Sequence, residues 1–259
     1  MSAVVVERVQ DHVALVTIDR PEARNAVNGE VAAGLEAAID ETEADDDIRA
    51  VVLTGAGRDV FCAGADLKEI SAGRASLLRT ERGGFAGFVF RERSKPWIAA
   101  VNGRALAGGL ELVLACELVV AVEGASFGLP EVMRGLIAAA GGLYRLPRAI
   151  SPNIAMELIL TASELDAARA HRLGLVNRLV PDVDALRGAA LELAAQVARN
   201  APVAVRQSLR VAREAHGAKD EAALRELSRD AFARVADSED FKEGPRAFIE
   251  KRAPRWSGR

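Results

Sequence analysis

Apolar residues recur along this chain in two rhythms. In the first part, short runs rich in Val and Ile stand between polar or glycine turns: Val4 to Val9, His12 to Ile18, Arg49 to Gly55, Trp97 to Val101 and Leu118 to Val122. Such runs predict strands, with Gln10-Asp11 as a hairpin turn and Lys95-Pro96 leading into the WIAAV strand. Asn28 is placed to cap a helix carrying Val31, Leu35, Ala38 and Ile39 on one face. After about residue 140 a three-to-four-residue rhythm takes over. It predicts helices over Ser151 to Thr161, Asp182 to Asn200, Pro202 to His216, Asp220 to Ala236 and Glu239 to Lys251. Strands alternating with helices imply an α/β layer architecture. The charged stretch Ala75 to Lys95 interrupts it and reads as a mobile surface helix or, alternatively, as a lid over a site.

One apolar stretch, Ala105 to Val122, has the length of a membrane span. It carries Glu111 and Glu117, each costing about 3 kcal/mol at mid-membrane by analogy with Asp. A glycine turn, a short helix from Gly108 to Cys116 and a buried strand fit better, and no membrane partner is expected. The 259 residues exceed the roughly 150 of an average domain, which fits one large domain or one domain with a helical appendage. Half are apolar but only 4% aromatic, so Ala, Val, Leu and Ile must fill that core. A net charge of -3 argues against a nucleic-acid binder, which would carry a basic excess. Cys62 and Cys116 lie far apart and fit neither a disulfide framework nor a zinc ribbon. The opening MSAVVVERVQ has no secretory pattern, so a cytoplasmic enzyme is the expectation.

Two patterns mimic other chemistries. Gly124-Ala-Ser126-Phe-Gly128 matches G-x-S-x-G, with Asp166 and His171 or His216 downstream in hydrolase order. Leu129-Pro130 follows where a nucleophile elbow needs a helix, which disfavours a serine hydrolase. Gly55-Ala-Gly57 lacks the third glycine of a dinucleotide fingerprint, and His12, His171 and His216 form no metal-ligand pattern, so no metal is expected.

Two loops share a different design, in which a buried strand runs into a small-residue turn and a helix begins at once. They are Phe61-Cys62-Ala63-Gly64-Ala65-Asp66-Leu67-Lys68 and Asn102-Gly103-Arg104-Ala105-Leu106-Ala107-Gly108-Gly109-Leu110-Glu111. Small residues let backbone N–H groups approach a ligand, and two such turns facing each other would make an oxyanion hole. Plain glycine turns are the alternative reading.

AGADLKEI, IAAVNGRALAGGLEL, ASFGLPEV and AAGGLYRL, in this order and spacing, resemble the crotonase (enoyl-CoA hydratase/isomerase) superfamily over essentially the whole chain. Within it, GGFAG (Gly83 to Gly87), RLP (Arg145 to Pro147) and the tail Ser238 to Trp256 are most similar to the carnitinyl-CoA dehydratases. The resemblance implies an α/β crotonase (ClpP-like) spiral of ββα units over residues 1–200. Residues 201–259 would form a C-terminal helical region that builds a homotrimer or a dimer of trimers. It further implies acyl-CoA thioester substrates, with coenzyme A as part of the substrate and no resident cofactor.

Carried over residue by residue, the resemblance places the thioester oxygen between the amides of Ala65 and Gly108, with Glu111 and Glu131 as the acid/base pair. Glu131 is expected to be the principal acid/base and Glu111 to orient and help activate the water. Each glutamate also has a bland reading, Glu111 as a favoured first-turn carboxylate and Glu131 as an exposed residue after Pro130. Glu117, in the same apolar stretch without a motif, is expected to have no catalytic role. Ala23, Arg24, Ala26 and Ala63, Asp66, Leu67, Lys68 would line the adenine and pantetheine path, and Lys251 or Arg252 would reach phosphate, across a subunit boundary in one version.

The loop Gly135 to Gly141 contains no acid, which disfavours the members that work through an aspartate there. It carries Ala138-Ala139 where common hydratases have Pro-Gly or Pro-Asp, leaving the Ala139 amide to help place the water. Ala107 replaces the first glycine of the usual triple. The function implied is hydration of a 2-enoyl-CoA or dehydration of a 3-hydroxyacyl-CoA, carnitinyl-CoA among the candidates. A Δ3-Δ2 enoyl-CoA isomerase and a non-catalytic acyl-CoA binder are the alternatives.

Overall fold

In the computed structural model, residues 2–215 and 220–259 are described; His216, the predicted end of one helix, lies outside them. The strands are β1 (Val4–Gln10), β2 (Val13–Ile18), β3 (Ala50–Gly55), β4 (Val60–Cys62), β5 (Arg79–Thr80), β6 (Gly84–Phe85), β7 (Trp97–Val101), β8 (Arg104–Leu106), β9 (Leu118–Val122), β10 (Ser126–Gly128), β11 (Leu165–Asp166) and β12 (Arg178–Val180). The helices are α1 (Gly29–Ala44), α2 (Leu67–Ser71), α3 (Gly108–Leu114), α4 (Gly142–Ala149), α5 (Pro152–Thr161), α6 (Ala167–Arg172), α7 (Val183–Ala198), α8 (Pro202–Ala215), α9 (Glu221–Ala236) and α10 (Glu239–Ile249).

Two sheets organise the core. The larger has the order β1-β2-β3-β7-β9-β12, with every pair parallel except the β1–β2 hairpin. The smaller has the order β11-β10-β8-β4, in which β4, β8 and β10 are parallel. The chain therefore alternates: β3 in the large sheet, β4 in the small one, then α2; β7, β8, then α3; β9, β10, then a 3-10 turn over Pro130–Arg134. This is the spiral of repeated units that the sequence resemblance implied. The central strands β3 and β7 are buried along nearly their whole length, which explains their unbroken apolar runs. Trp97, Phe61, Phe88 and Phe127 are the large aromatic plugs in a core otherwise built of Ala, Val, Leu and Ile.

Asn28 caps α1 as expected, its side chain accepting from Val31 N at 3.0 Å. Asp182 caps α7, which packs across β3, β7 and β9. The short strands of the smaller sheet and helices α4 and α6 were not predicted, because runs of two to eight residues carry too little periodicity.

The expected surface helix over Ala75 to Lys95 is not there. A 3-10 turn (Ala75–Leu78) leads into the β5–β6 pair and then a turn in which Ala86, Gly87, Phe88 and Val89 are buried. Gly84, Ala86 and Gly87 all take positive φ, which no right-handed helix accommodates. Arg82 and Arg91 both bind Asp40, tying the segment to α1.

Glu117 has a structural duty. It accepts from Trp97 N at 2.7 Å and pairs with Arg213 at 2.6 Å, joining the start of β7 to α8. Glu117→Ala leaves Arg213 and a buried strand amide unanswered and should cost about 2 to 3 kcal/mol of unfolding free energy in urea. An unchanged midpoint would contradict this role.

Candidate active site

Because β4, β8 and β10 are neighbouring parallel strands, the loops leaving their carboxyl ends emerge side by side. These loops carry Ala63-Gly64-Ala65, Ala107-Gly108 and Leu129-Pro130-Glu131. Gly64 has φ +89, and a Cβ on it would stand 2.8 Å from Ala107 Cβ and 2.9 Å from Gly108 N. The two turns thus meet backbone to backbone.

Val27 fixes how the first turn points. Its N–H donates to Gly64 O and its carbonyl accepts from Asp66 N, both at 2.8 Å. In an extended segment, successive groups face opposite ways, so the Ala65 N–H between them is directed to the other side. Gly108 is the first residue of α3, and its N–H has no acceptor within that helix. Ala107, just before it, sits at φ 53, ψ -125, a region that strains any residue with a Cβ. The Phe85 ring lies against Gly108, with Cε1 and Cζ at 2.4 and 2.5 Å from the place of a Gly108 Cβ. The stretch read as helix or lid therefore walls the Gly108 turn.

Glu111 lies in the first turn of α3 and is buried. Its Oε1 accepts from Gly142 N at 2.9 Å, and the Ala140 amide also bonds to its carboxyl. Burial pushes its pKa up to about 7, against the two amides; the neighbouring Glu131 charge pushes the same way and Arg145 opposes it. Glu131, in the 3-10 turn after β10, is half-buried, and burial raises its pKa too. Its Oε2 is buried without a hydrogen-bond partner among the described residues. Two carboxyls that feel each other's charge thus flank the end of the smaller sheet, beside the two free-facing amides.

The remaining expected residues divide. The Ala23 to Ala26 turn does lie along the first loop, Arg24 O accepting from Ala63 N at 3.1 Å. Leu67 and Lys68 are exposed at the start of α2. Asp66 is spent on structure: it accepts from Lys68 N at 3.1 Å and faces Arg20 at 3.3 Å. The Ala139 amide, expected to face the water, turns back to Ile137 O at 2.9 Å; the Gly142 and Ala140 amides reach Glu111 instead. Lys251 is exposed after α10, while Arg252 is held by Glu243 and Glu250 and offers no free charge. Sequence reasoning missed Gly142 and Ala140 as site parts, although AAGGLYRL marked their neighbourhood.

The decoys dissolve. Ser126 Oγ donates to Glu164 at 2.6 Å, and the His171 ring bonds Val176 O, so no nucleophile triad forms among the described residues. No group of three or more potential metal ligands occurs among them either. No described helix is long and apolar enough to cross a membrane.

Residues 8–259 match the sequence profile of the enoyl-CoA hydratase/isomerase family. The mevalonyl-coenzyme A hydratase of Aspergillus fumigatus is 40% identical over 252 residues, covering 95% of this chain and 91% of that protein. A carnitinyl-CoA dehydratase of Proteus mirabilis is 38% identical over 252 residues, 94% of each chain. The crystal structure of an enoyl-CoA hydratase from Mycobacterium tuberculosis superposes with a TM-score of 0.95 at 44% identity over the full length of both chains. Fold and likeness define a crotonase-fold lyase: the chain belongs to the enoyl-CoA hydratase/isomerase family, on the side of the enoyl-CoA hydratases and carnitinyl-CoA dehydratases.

The Glu111 environment has a thermodynamic consequence. Its folded pKa of about 7 exceeds the ordinary 4.5, so between those pH values the folded state holds more protons than the unfolded one. Stability must then fall as pH rises from 4.5 through 7, by about 3 kcal/mol in all for this group. Glu111→Gln should remove that slope and raise the melting temperature at pH 8 more than at pH 5. Equal shifts at both pH values would contradict the assignment.

Proposed function

We propose that this protein adds water across the double bond of a 2-enoyl-CoA, or removes it from a 3-hydroxyacyl-CoA in the reverse direction. The observation that carries the reading is the convergence of three strand ends on two unengaged amides and two carboxyls of raised pKa. Coenzyme A enters with the substrate, along the Ala23 to Ala26 turn and the Ala63 to Lys68 loop.

In the hydration direction the thioester oxygen accepts from Ala65 N–H and Gly108 N–H. A water oxygen attacks Cβ, the Cα=Cβ electron pair moves toward the thioester, and the oxygen gains negative charge. Each preorganised donor is worth roughly 3 to 4 kcal/mol at that stage. One carboxylate takes the proton leaving water and one carboxylic acid delivers a proton to Cα, so the pair ends with the proton count it began with. Burial raises both carboxyls above their ordinary values, and the Glu131 charge adds to the rise at Glu111, which suits this exchange. Glu111, with Oε1 anchored by Gly142, orients the water; Glu131, with its unpartnered Oε2, is the principal acid/base.

Glu111→Gln and Glu131→Gln should each lower kcat on crotonyl-CoA by about a thousandfold with the fold intact, followed as loss of the conjugated thioester absorbance. Near-normal turnover in either variant would overturn that residue's role. A protein that leaves crotonyl-CoA unchanged but creates the absorbance from a 3-enoyl-CoA would be an isomerase, and one that does neither a binder.

The reading extends to assembly. Phe248 and Ile249 on α10 are 85% and 78% exposed, which is unusual for large apolar side chains and supports a self-associating C-terminal region. A trimer or hexamer is the expected mass in solution by light scattering, and a monomer at micromolar concentration would overturn it.

A further inference from the structure

The groups that offset the burial of Glu111 come from one short stretch of chain. The Gly142 and Ala140 amides bond to its carboxyl, and Arg145 acts on it as the opposing charge. All three lie in the turn into α4 and its first residues, where helix amides have no partner inside the helix. A Cβ on Gly142 would stand 3.2 Å from Glu111 Cγ and 3.0 Å from Leu129 Cδ1. One on Gly141, at φ +114, would stand 2.6 Å from Arg145 Nη1 and 3.1 Å from Arg145 Cζ. The Gly141–Gly142 peptide is therefore in close contact with the Arg145 guanidinium at one residue and with Glu111 at the next.

Arg145 is itself tied down. Its Nη2 donates to Val89 O at 2.6 Å and its Nη1 to Ala140 O at 3.5 Å. The rings of Phe90 and Tyr144 have their centroids 5.7 Å and 5.5 Å from the guanidinium carbon. Arg145 forms no ion pair among the described residues, since both of its hydrogen bonds go to carbonyls. Val89 belongs to the turn after β6, and its N–H donates to Phe85 O at 3.3 Å. One side chain thus links the segment against Gly108 to the turn against Glu111.

The other elements packed on α3 carry few charges. β4 brings the Cys62 thiol, which burial pushes up to about 12 and keeps uncharged at neutral pH. β8 brings Arg104, exposed and paired with Glu164. The 3-10 turn brings Glu131, with Arg134 acting on it, and α4 adds the exposed Arg148. Glu117, beyond the end of α3, is answered by Arg213.

We propose that Arg145 is a positioning residue for the reaction: by bridging Val89 O and Ala140 O beside Gly141, it braces the turn whose amides hold the Glu111 carboxyl. This deepens the hydratase reading above and rests on it for the step that Glu111 serves. Without the brace, Glu111 loses the groups that favour its charged form, and its pKa moves up from about 7.

The test reads Glu111 directly, by infrared titration of the protonated carboxyl band that Glu111→Gln removes. In Arg145→Met the midpoint should move up by about one pH unit, with kcat on crotonyl-CoA down about tenfold and KM within about threefold of the unaltered value. Arg145→Lys keeps the charge but has no planar fork to span two carbonyls, so it should restore only part of the lost kcat. Arg145→Gln, a smaller change that also lacks the fork, should give the same upward move if the methionine variant does not fold. An unmoved midpoint, a change confined to KM, or full rescue by lysine overturns the brace while leaving the hydratase reading in place. A raised midpoint in a protein that fails to hydrate crotonyl-CoA supports the brace and overturns only the chemistry.

Discussion

The contact between two backbone turns is the constraint on which the rest of this structure depends. Gly64 must approach Ala107 and Gly108 so closely that a methyl group would stand 2.8 Å from Ala107 Cβ. That approach is imposed from below, because β4 and β8 are hydrogen-bonded neighbours and their loops have no room to diverge. It is imposed from the side by Val27, which grips both flanks of Ala65 and leaves its amide facing outward. The strain at Ala107, typically about 1 to 3 kcal/mol for such a conformation, persists because the packed strands over-determine the turn.

Burial then sorts the carboxylates. Glu111 and Glu117 leave the same apolar stretch six residues apart, and their surroundings treat them oppositely. Glu117 meets the Arg213 guanidinium and the Trp97 amide, so its charge is answered and it ties β7 to α8. Glu111 meets chiefly amides, which hold its position without neutralising the cost of burial, and its pKa rises to about 7. A carboxyl poised near neutrality can both take and give a proton.

The segment from Ala75 to Lys95 shows how far local composition misleads. Its many charges suggested a solvated helix, yet the charges serve as outer ties, Arg82 and Arg91 to Asp40, while Phe85 and Phe88 turn inward. Three positive-φ positions, Gly84, Ala86 and Gly87, make this inward turn possible. A helix-period reading has no means to register them, since alanine at position 86 carries no sign of its conformation.

The sequence by itself determined the α/β class, the buried strands, the α1 cap at Asn28, the four motifs and the two glutamates, because each of these is written in local spacing. It could not show that β4, β8 and β10 lie side by side, since strands of three residues carry no period and pairing joins positions tens of residues apart. Adjacency is what turns two glycine loops into facing amides and sets Glu131 beside Glu111. The partners of Glu111 were equally invisible: Gly142 supplies an amide, a group every residue but proline has, so only its position in space could select it over Ala139. Residue types and their order were legible in the chain; the direction in which each backbone N–H points was decided by tertiary packing alone.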